Sequence, residues 1–232
     1  LHFERHHSGV PTIDPSRHHL LIHGMVDRPL VFSMEEILRL PSVSRIHFIE
    51  CSGNSGREWT TPEPTVQRTH GMLGCSEWTG VSLSLLLSEV GVQSEAKWII
   101  AEGADGCKLH RSIPMEKALD NIVIAYAQNG EAIRPEQGYP LRLVVPGWEG
   151  NTHVKWLRRI KAVDQPYMGR EETSKYTDLM PDGKARQFTF VMEAKSVITY
   201  PSGRDQLPGP GFYEITGLAW SGRGLIQSAE IS

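Results

Sequence analysis

The sequence predicts an α+β fold, because short strands and short helices follow one another in mixed order along the chain. Two local signals support this prediction. Ser33 and Glu36 form a helix-capping box, and the pair Asn129-Gly130 is typical of a tight turn between strands. The 232 residues are 39% hydrophobic, which is enough for one large domain or for one domain plus a fragment.

The N-terminal part is predicted to hold two strands and one helix. Residues 1–19 are polar and rich in turn-forming residues, so this leader needs tethering to be ordered. The apolar run 20–26 is predicted to be a strand. The capping box opens a short helix that a proline ends after residue 40. Residues 43–50 form a second strand, which ends at Cys51.

The middle of the chain is predicted to begin with an irregular segment, residues 53–75, which contains several prolines and glycines. A helix over 82–90 follows, and Gly91 is placed to end it. A further short helix is predicted after Pro114. Apolar runs predict three more strands, at 97–101, 122–127 and 141–146.

The last part is predicted to contain a strand over 154–163 and a second long polar loop over 165–187. Residues 211–221 are predicted to form a strand, a turn and another strand. This pattern is typical of a β domain that is beginning where the chain ends.

Composition excludes several classes of protein. The formal net charge of −3 implies no nucleic-acid-binding surface. No apolar run approaches the roughly 20 residues that a membrane span needs. No export signal is visible at the start of the sequence. None of the three cysteines belongs to a CxxC pair, so neither a structural zinc site nor an attached haem is expected in this chain.

Cys51 is the most informative residue. It stands at the end of a predicted strand and is followed at once by turn-forming residues, where a side chain is held by the sheet yet open to a ligand. A lone thiol in such a place suits a soft metal or nucleophilic catalysis. A buried structural cysteine is the alternative, and the local sequence does not decide between the two.

Four stretches together resemble the molybdopterin-binding domain of the sulfite oxidase family. They occur in family order and cover nearly the whole chain, and within the family their details are most similar to the molybdenum subunits of bacterial sulfane dehydrogenases. The four stretches are residues 3–11, 51–54, 71–86 and 138–156.

The resemblance implies a sulfite oxidase-like fold that binds molybdenum as Mo-molybdopterin, with Cys51 as the metal ligand. Cys51, Tyr176 and Arg5 match catalytic positions of the family. Its cofactor-binding positions are matched by Arg5, His6, His7, Asp105, Gln137, Arg142, His153, Val154 and Lys155.

The residues themselves allow other interpretations. Arg5, His6 and His7 could belong to a solvated, disordered leader. Arg142 could pair with a neighbouring carboxylate, and Lys155 could lie on an exposed cationic face with Arg158, Arg159 and Lys161. Asp105 precedes a glycine and could form a turn, and Tyr176 could be a surface tyrosine.

Two departures from animal and plant sulfite oxidases bear on the substrate. Those enzymes have arginines where this chain has Ser55 and Gly56, and a histidine where it has Gln137. The resemblance therefore favours oxidation of sulfane sulfur held on a carrier protein over oxidation of free sulfite. A sulfite dehydrogenase and a methionine-sulfoxide-type reductase are the enzymatic alternatives, and a metal-free binding protein of the same fold is the non-enzymatic one.

The resemblance also implies partners and a location. Electrons would pass to a c-type cytochrome in the periplasm, and no haem is expected in this chain. Residues 1–205 would form the molybdopterin-binding catalytic domain. Residues 206–232 would begin a truncated immunoglobulin-like domain through which family members form homodimers.

Overall fold

A computed structural model describes residues 2–60 and 65–231, which form two main β-sheets with short helices around a shared core. The strands are β1 (His19–Gly24), β2 (Leu30–Ser33), β3 (Ser42–Glu50), β4 (Leu73–Ser82), β5 (Trp98–Gly103), β6 (His110–Pro114), β7 (Val123–Gln128), β8 (Glu131–Ala132), β9 (Arg142–Val144), β10 (Leu157–Val163), β11 (Asp178–Leu179), β12 (Ala185–Arg186), β13 (Lys195–Tyr200) and β14 (Thr216–Trp220). The helices are α1 (Met34–Arg39), α2 (Arg57–Thr60), α3 (Val66–His70), α4 (Leu83–Val90) and α5 (Met115–Asp120).

The first sheet has the order β2-β1-β10-β5-β6. Strands β1 and β10 are parallel, and the other neighbours are antiparallel. The pairing of β5 with β10 places Gly103 opposite Leu157, so the end of β5 lies beside the start of β10. The segments that follow β5 and precede β10 are therefore brought to one edge of this sheet.

The second sheet has the order β3-β4-β7-β8, and β9 pairs with β7 as well. All of its pairs are antiparallel. Strand β3 is held along its whole length by β4, from Ser42 opposite Val81 to Glu50 opposite Leu73. This long pairing fixes the point at which β3 ends and Cys51 begins.

One apolar core lies between the two sheets. It contains Leu20 and Ile22 from β1, Val81 from β4 and Ile124 from β7. Helix α4 contributes its buried face, which consists of Leu83, Leu86, Leu87 and Val90. Because both sheets bury side chains in the same core, their edges keep a fixed separation.

Three predictions that rest on short-range sequence signals are confirmed: a helix cap, a helix end and a tight turn. The Ser33 hydroxyl accepts a hydrogen bond from the Glu36 N–H, and Glu36 accepts one from the Ser33 N–H. Gly91 ends α4 in the left-handed conformation, with φ of 65°. Asn129 and Gly130 both have positive φ, as the turn between β7 and β8 requires.

The irregular segment predicted over 53–75 is wrong in part. The structure has α2 and α3 there, and β4 begins at Leu73, while residues 61–64 lie outside the described part. Strands β2, β6 and β13 were not predicted, and β10 begins at Leu157 rather than at residue 154. Of the strand, turn and strand predicted over 211–221, only β14 is present. These elements are short or contain glycine, so pairing with neighbouring strands rather than intrinsic preference decides them.

The C-terminal part folds as a hairpin-like pair. Strand β13 pairs antiparallel with β14, from Lys195 opposite Trp220 to Tyr200 opposite Thr216. The predicted boundary between residues 205 and 206 falls within the connection between these strands, and the division into two domains stays a prediction. The polar loop 165–187 contains a π-helical turn, Glu171–Lys175, and the β11–β12 pair.

Within the described ranges, none of the helices has the length and apolar character needed to cross a membrane.

Gly80 should be intolerant of a side chain, because it lies where β4 shifts register against β7. A Cβ at this position would be 2.1 Å from the Ile124 carbonyl oxygen. Gly80→Ala is therefore expected to lower the free energy of unfolding by about 2 kcal/mol, as overpacking of a sheet core does. The measurement is urea denaturation followed by circular dichroism. Gly224→Ala is the control, because a Cβ there meets nothing within 4 Å and stability should not change.

Candidate active site

One cavity gathers the predicted site residues. It opens beside Cys51 and is closed on one side by the N-terminal leader. Its walls are formed by Phe3, Arg5, His6, His7, Ile49, Cys51, Asp105, Leu109, Gln137, Arg142, Gly150, Asn151, His153, Lys155, Trp156 and Tyr176. Of the residues that the sequence nominated, only Val154 is not part of this wall.

The two sheets supply opposite sides of the cavity. Cys51 follows β3 and Arg142 begins β9, both in the second sheet. Asp105 follows β5 and Lys155 precedes β10, both at one edge of the first sheet. Residues that are distant in sequence therefore meet because strand ends from both sheets converge.

The loop that carries Cys51 is fastened at both ends. The Cys51 N–H donates to the Met72 carbonyl at 3.0 Å, and the Asn54 N–H donates back to the Cys51 carbonyl at 2.9 Å. The Asn54 side chain donates to Glu50 at 3.0 Å and accepts from the Met72 N–H at 3.0 Å. The thiol is partly exposed, which rules out a fully buried structural cysteine.

Glu50 supports this loop from behind and was not singled out from the sequence. Its carboxylate is fully buried. Besides Asn54, it accepts hydrogen bonds from Lys195 at 2.9 Å and from the Trp220 indole at 2.6 Å. Glu50 thus ties the Cys51 loop to both strands of the C-terminal β13–β14 pair.

Gly150 is a second residue that sequence reasoning missed. A Cβ at this position would lie 2.7 Å from the Glu50 carbonyl oxygen and 3.3 Å from the Cys51 Cα. Only glycine therefore lets the 150–152 turn approach the Cys51 backbone closely. This approach places Asn151 in the cavity wall beside the thiol.

Arg142 is a buried cation without a carboxylate partner among the described residues. It is 3% exposed, its guanidinium lies over the Trp78 ring, and one Nη donates to both Gln137 oxygens. Its Nε has no hydrogen-bond partner within the described part of the chain. Burial lowers the pKa of Arg142 to about 9, so the group stays charged at neutral pH.

Lys155 lies next to Arg142 in the cavity rather than on the exposed cationic face. Its ammonium donates to the Glu136 carbonyl at 2.7 Å. Burial, and then the charge of Arg142, lower the pKa of Lys155 to about 7. Arg158 and Arg159 instead pair with Glu102 on the surface of the first sheet.

Gln137 links Arg142 to the leader. Its side-chain amide donates to the Phe3 carbonyl at 2.8 Å, while its oxygen accepts from Arg142 at 3.1 Å. His2 stacks on Phe3 and meets the edge of Trp78. The leader is therefore packed against the cavity and is not a solvated tail.

His153 and Val154 are bonded to the protein backbone, unlike the cavity-facing side chain of Lys155. The His153 Nδ1 accepts from the Val145 N–H at 3.2 Å, and its Nε2 lies 3.1 Å from the Trp148 carbonyl oxygen. Burial holds the pKa of His153 well below its usual value, so a neutral ring satisfies both bonds. The Val154 N–H and carbonyl are bonded to Thr152 and Leu143, and its side chain lies in the core. Cofactor contacts of these two residues stay a prediction.

Asp105 organises a turn and also faces the cavity. Its carboxylate accepts from the Leu109 N–H at 3.0 Å, from the Ser8 hydroxyl at 3.3 Å and from the Cys107 thiol at 2.9 Å. The contact with Ser8 ties the leader to the end of β5. A carboxylate with three protein donors retains little capacity for a cofactor.

Tyr176 and His7 form a stacked pair at the cavity. The tyrosine hydroxyl lies 3.0 Å from the His7 Nε2, and the rings are 16° from parallel. Burial, and then the negative charge of Cys51, raise the pKa of Tyr176 to about 12. Burial lowers the pKa of His7. At neutral pH the phenol is therefore protonated and can donate to the neutral imidazole. Tyr176 is half-buried and is not a surface tyrosine.

A groove on the open side of Cys51 shares Arg5 and Cys51 with the cavity. Arg57 and Arg68 line it as well, together with Gly53 and Gly71. Arginines thus line the groove, although positions 55 and 56 are occupied by serine and glycine. His6 turns away from it and pairs with Glu4 at 2.9 Å.

The residues present fit a molybdopterin. The buried Arg142 and the half-buried Lys155, neither with an ion-paired carboxylate among the described residues, leave a place for an anionic group such as a phosphate. No cluster of three or more His, Cys, Asp or Glu side chains that could hold a metal occurs in the described ranges. A metal at Cys51 would therefore need further ligands from a bound cofactor, and dithiolene sulfurs are soft ligands like the thiolate.

Comparison with known proteins agrees with this geometry. The sequence profile of the oxidoreductase molybdopterin binding domain matches residues 7–171. The crystal structure of the sulfane dehydrogenase SoxCD from Paracoccus pantotrophus superimposes with a TM-score of 0.92 and 52% sequence identity. The match covers 95% of this chain and 57% of that one.

Curated relatives include NADH-dependent nitrate reductases. One from Brassica napus is 32% identical across 97% of this chain and 28% of its own length. One from Arabidopsis thaliana has the same identity and coverage. The NADPH-dependent nitrate reductase of Phytophthora infestans is 35% identical across 71% of this chain and 20% of its own length. The chain thus spans less than a third of these relatives.

Anion binding at the buried cations should depend on pH through Lys155. Protonated Lys155 attracts an anion, so a bound anion raises its pKa and binding takes up a proton. Since the pKa without an anion is about 7, affinity should fall as pH rises above that value, by up to about tenfold per pH unit. Calorimetry of sulfate binding to cofactor-free protein measures this, because sulfate stays a dianion across the range.

Lys155→Met should bind sulfate weakly and without this pH dependence. Lys161→Met is the matched control, since Lys161 is an exposed lysine on β10 outside the cavity. Equal pH dependence in Lys155→Met and the native protein would show that Lys155 does not contribute to the anion site.

Proposed function

Because this chain belongs to the oxidoreductase molybdopterin-binding domain family, we propose that it oxidises a reduced sulfur compound with water as the source of oxygen. The preferred substrate is sulfane sulfur held on a carrier protein. Membership in the sulfite oxidase family and the mixed α+β fold, both predicted from the sequence, are confirmed. The oxidoreductase activity and the Mo-molybdopterin cofactor follow from the family.

One observation gives this proposal its main support. A sulfane dehydrogenase structure is 52% identical to this chain over 95% of the chain's length, whereas the Brassica napus nitrate reductase is 32% identical over the aligned region. Residues around a reaction centre determine which substrate binds. The greater similarity to a sulfur-oxidising enzyme therefore favours sulfur chemistry over nitrate reduction.

The chain's own residues have separable roles in this function. When bound, the molybdenum cofactor supplies two-electron oxygen-atom chemistry. Cys51 would be the protein's metal ligand, held in place by Asn54 and the Met72 backbone. Arg142 and Lys155 would hold an anionic group of the pterin, with Gln137 fixing the guanidinium.

Tyr176 and Arg5 would act on the substrate. The phenol of Tyr176 is protonated at neutral pH and points its hydroxyl to His7, so a substrate oxygen can take over that hydrogen bond. Arg5 lines both the cavity and the open groove, where its charge would attract an anionic sulfur group. The imidazole of His7, whose pKa is lowered by burial, can accept a hydrogen bond from the phenol.

The path of the electrons and the assembly are further parts of the proposal. The sequence contains no CxxCH haem-attachment motif, so a c-type cytochrome partner would accept the electrons one at a time. A periplasmic location and a homodimer formed through an immunoglobulin-like domain are proposed from the resemblance to the family.

Oxidation of free sulfite is the second candidate, and the groove favours it. Arg5, Arg57 and Arg68 line the space on the open side of Cys51. Fixed cations near a metal hold a small dianion and raise its local concentration. A methionine-sulfoxide-type reductase remains an alternative, but no described residue specifically favours it.

The metal assignment can be tested with cysteine variants. Protein made in a molybdenum-competent host should contain about one molybdenum per chain, as a single thiolate-anchored cofactor requires. Cys51→Ser should keep the fold and lose about 100-fold or more in kcat, because a hydroxyl is a harder and less acidic ligand. Metal analysis and steady-state turnover measure both effects.

Cys75→Ser is the matched control. Cys75 is exposed and lies outside the cavity, so its replacement should change neither metal content nor kcat. Native activity in Cys51→Ser would disprove the role assigned to Cys51.

The substrate can be decided by turnover with cytochrome c as acceptor. The native enzyme should have a higher kcat/KM with a thiosulfate-loaded carrier protein than with sulfite, because a carrier adds binding energy from remote contacts. Gly56→Arg should improve sulfite use and impair the carrier-bound substrate. A Cβ at Gly56 meets only the Gly53 carbonyl oxygen, at 3.5 Å, so the substitution is sterically tolerable. A native kcat/KM for sulfite that equals or exceeds that for the carrier would identify a sulfite dehydrogenase.

A further inference from the structure

Arg111 is a buried arginine that packs against the ring of Tyr176. No role for it was predicted from the sequence. Arg111 is on β6, an edge strand, and faces inward on the same side as Ile113. Its side chain is 2% exposed, although it is charged. An inward-facing charge on an edge strand costs free energy unless it is well paired, which suggests a specific task.

The guanidinium of Arg111 forms an ion pair on one side and a hydrogen bond on the other, and its Nε has no hydrogen-bond partner among the described residues. Its Nε lies 3.2 Å from a carboxylate oxygen of Glu172, which is itself fully buried. One Nη donates to the side-chain oxygen of Asn151. Glu172 also accepts the Ser112 N–H at 2.9 Å, so the ion pair fixes the π-helical turn against β6.

Two of the residues that Arg111 contacts, Asn151 and Tyr176, line the reaction cavity. Asn151 is part of its wall, in the turn that packs against Cys51 through Gly150. The Arg111 Cζ lies 4.9 Å from the centre of the Tyr176 ring, in the geometry of a cation–π contact. One side chain therefore touches the phenol ring and the wall beside the thiol.

We propose that Arg111 is a positioning residue that holds Tyr176 and Asn151 in fixed register around the reaction centre, with Glu172 as its anchor. The proposal rests on the role given to Tyr176 in the proposed function. Arg111 contacts neither the cavity nor a substrate, since it does not line the cavity wall. It acts through the two side chains that do.

Electrostatics support the same role. The charged and titratable groups facing Arg111 are Glu172, Glu149, Tyr176 and Glu171. The positive charge of Arg111 lowers the pKa of Tyr176, which opposes the raising effects of burial and of Cys51. The phenol therefore becomes a better hydrogen-bond donor than burial alone would allow.

An arginine is required for this geometry. A planar guanidinium can stack on a ring and donate in its own plane to two acceptors at the same time. A lysine at position 111 would keep the charge but could not satisfy Glu172 and Asn151 while stacking on Tyr176. Arg111→Lys is therefore a sharp test, because it separates charge from geometry.

The first measurement does not depend on catalysis. The full chain, purified with its cofactor, is labelled with 3-fluorotyrosine at its six tyrosines, and Tyr176→Phe assigns the resonance of Tyr176. Arg111→Lys should shift or broaden that ¹⁹F resonance and leave the other five unchanged. An unmoved resonance would show that Arg111 does not position Tyr176, whether or not the enzyme oxidises sulfur.

The second measurement is a double-mutant cycle on kcat with the better sulfur substrate. Arg111→Lys should lower kcat about tenfold with unchanged molybdenum content, but less than about twofold in the Tyr176→Phe background, because coupled residues are non-additive. Equal losses in both backgrounds would mean that Arg111 acts by some other route. If native turnover is absent, the proposed function fails while the ¹⁹F result still decides the role of Arg111.

Glu172→Gln is the second variant, in case Arg111→Lys does not fold. Its amide oxygen can still accept from the Ser112 N–H, but the charge that anchors Arg111 is lost. It should move the same ¹⁹F resonance. Lys117→Met is the matched control, since Lys117 is a half-buried cation over the Trp148 ring and is not among the charges that shift the pKa of Tyr176. It should change neither the Tyr176 resonance nor kcat, and an equal effect would overturn the proposal.

Discussion

A buried positive charge, with no carboxylate partner among the described residues, is the constraint on which the site depends. Arg142 lies in the interior with its guanidinium over Trp78, and within the described part of the chain its guanidinium hydrogen-bonds to Gln137 alone. Removing a cation from water costs on the order of several kcal/mol, which neutral acceptors offset only in part. Lys155 adds a second charge close by, and each raises the cost of the other. An anionic group at this place, such as the phosphate of a pterin cofactor, would offset that cost.

The architecture places this charged wall opposite a thiol. Strand β3 is paired with β4 up to its last residue, so the position of Cys51 is set by the second sheet. Lys155 is set by the first sheet, through the start of β10 beside the end of β5. The shared core holds the two sheets in register. Glu50 extends this control, because its buried carboxylate connects the Cys51 loop with Lys195 and Trp220. A change in the positions of the C-terminal strands would therefore also move the loop that carries Cys51.

In the function that we propose, cofactor binding and substrate selection fall to different parts of the site. The enclosed end holds Arg142 and Lys155, while the open end holds Arg5, Arg57 and Arg68 in a groove beside Cys51. Tyr176 lines the cavity and contacts His7 and Arg111. On this proposal, substitutions in the groove would change the substrate without loosening the cofactor. This separation is consistent with a family whose relatives here include both a sulfane dehydrogenase and nitrate reductases.

The sequence by itself determined the features that depend on near neighbours and on recognisable motifs. It predicted the Ser33 capping box, the Gly91 helix end, the strand that delivers Cys51 and ten of the sixteen residues of the cavity wall. Only the tertiary structure decided β4, whose glycines oppose strand formation until β3 and β7 pair with it. The roles of Glu50, Gly150 and Arg111 were likewise revealed only by the tertiary structure, because these roles arise from contacts with residues that are far away in the chain. The physical reason is that a buried charge or a close backbone approach is a property of three-dimensional packing, and a single sequence contains no local signal for it.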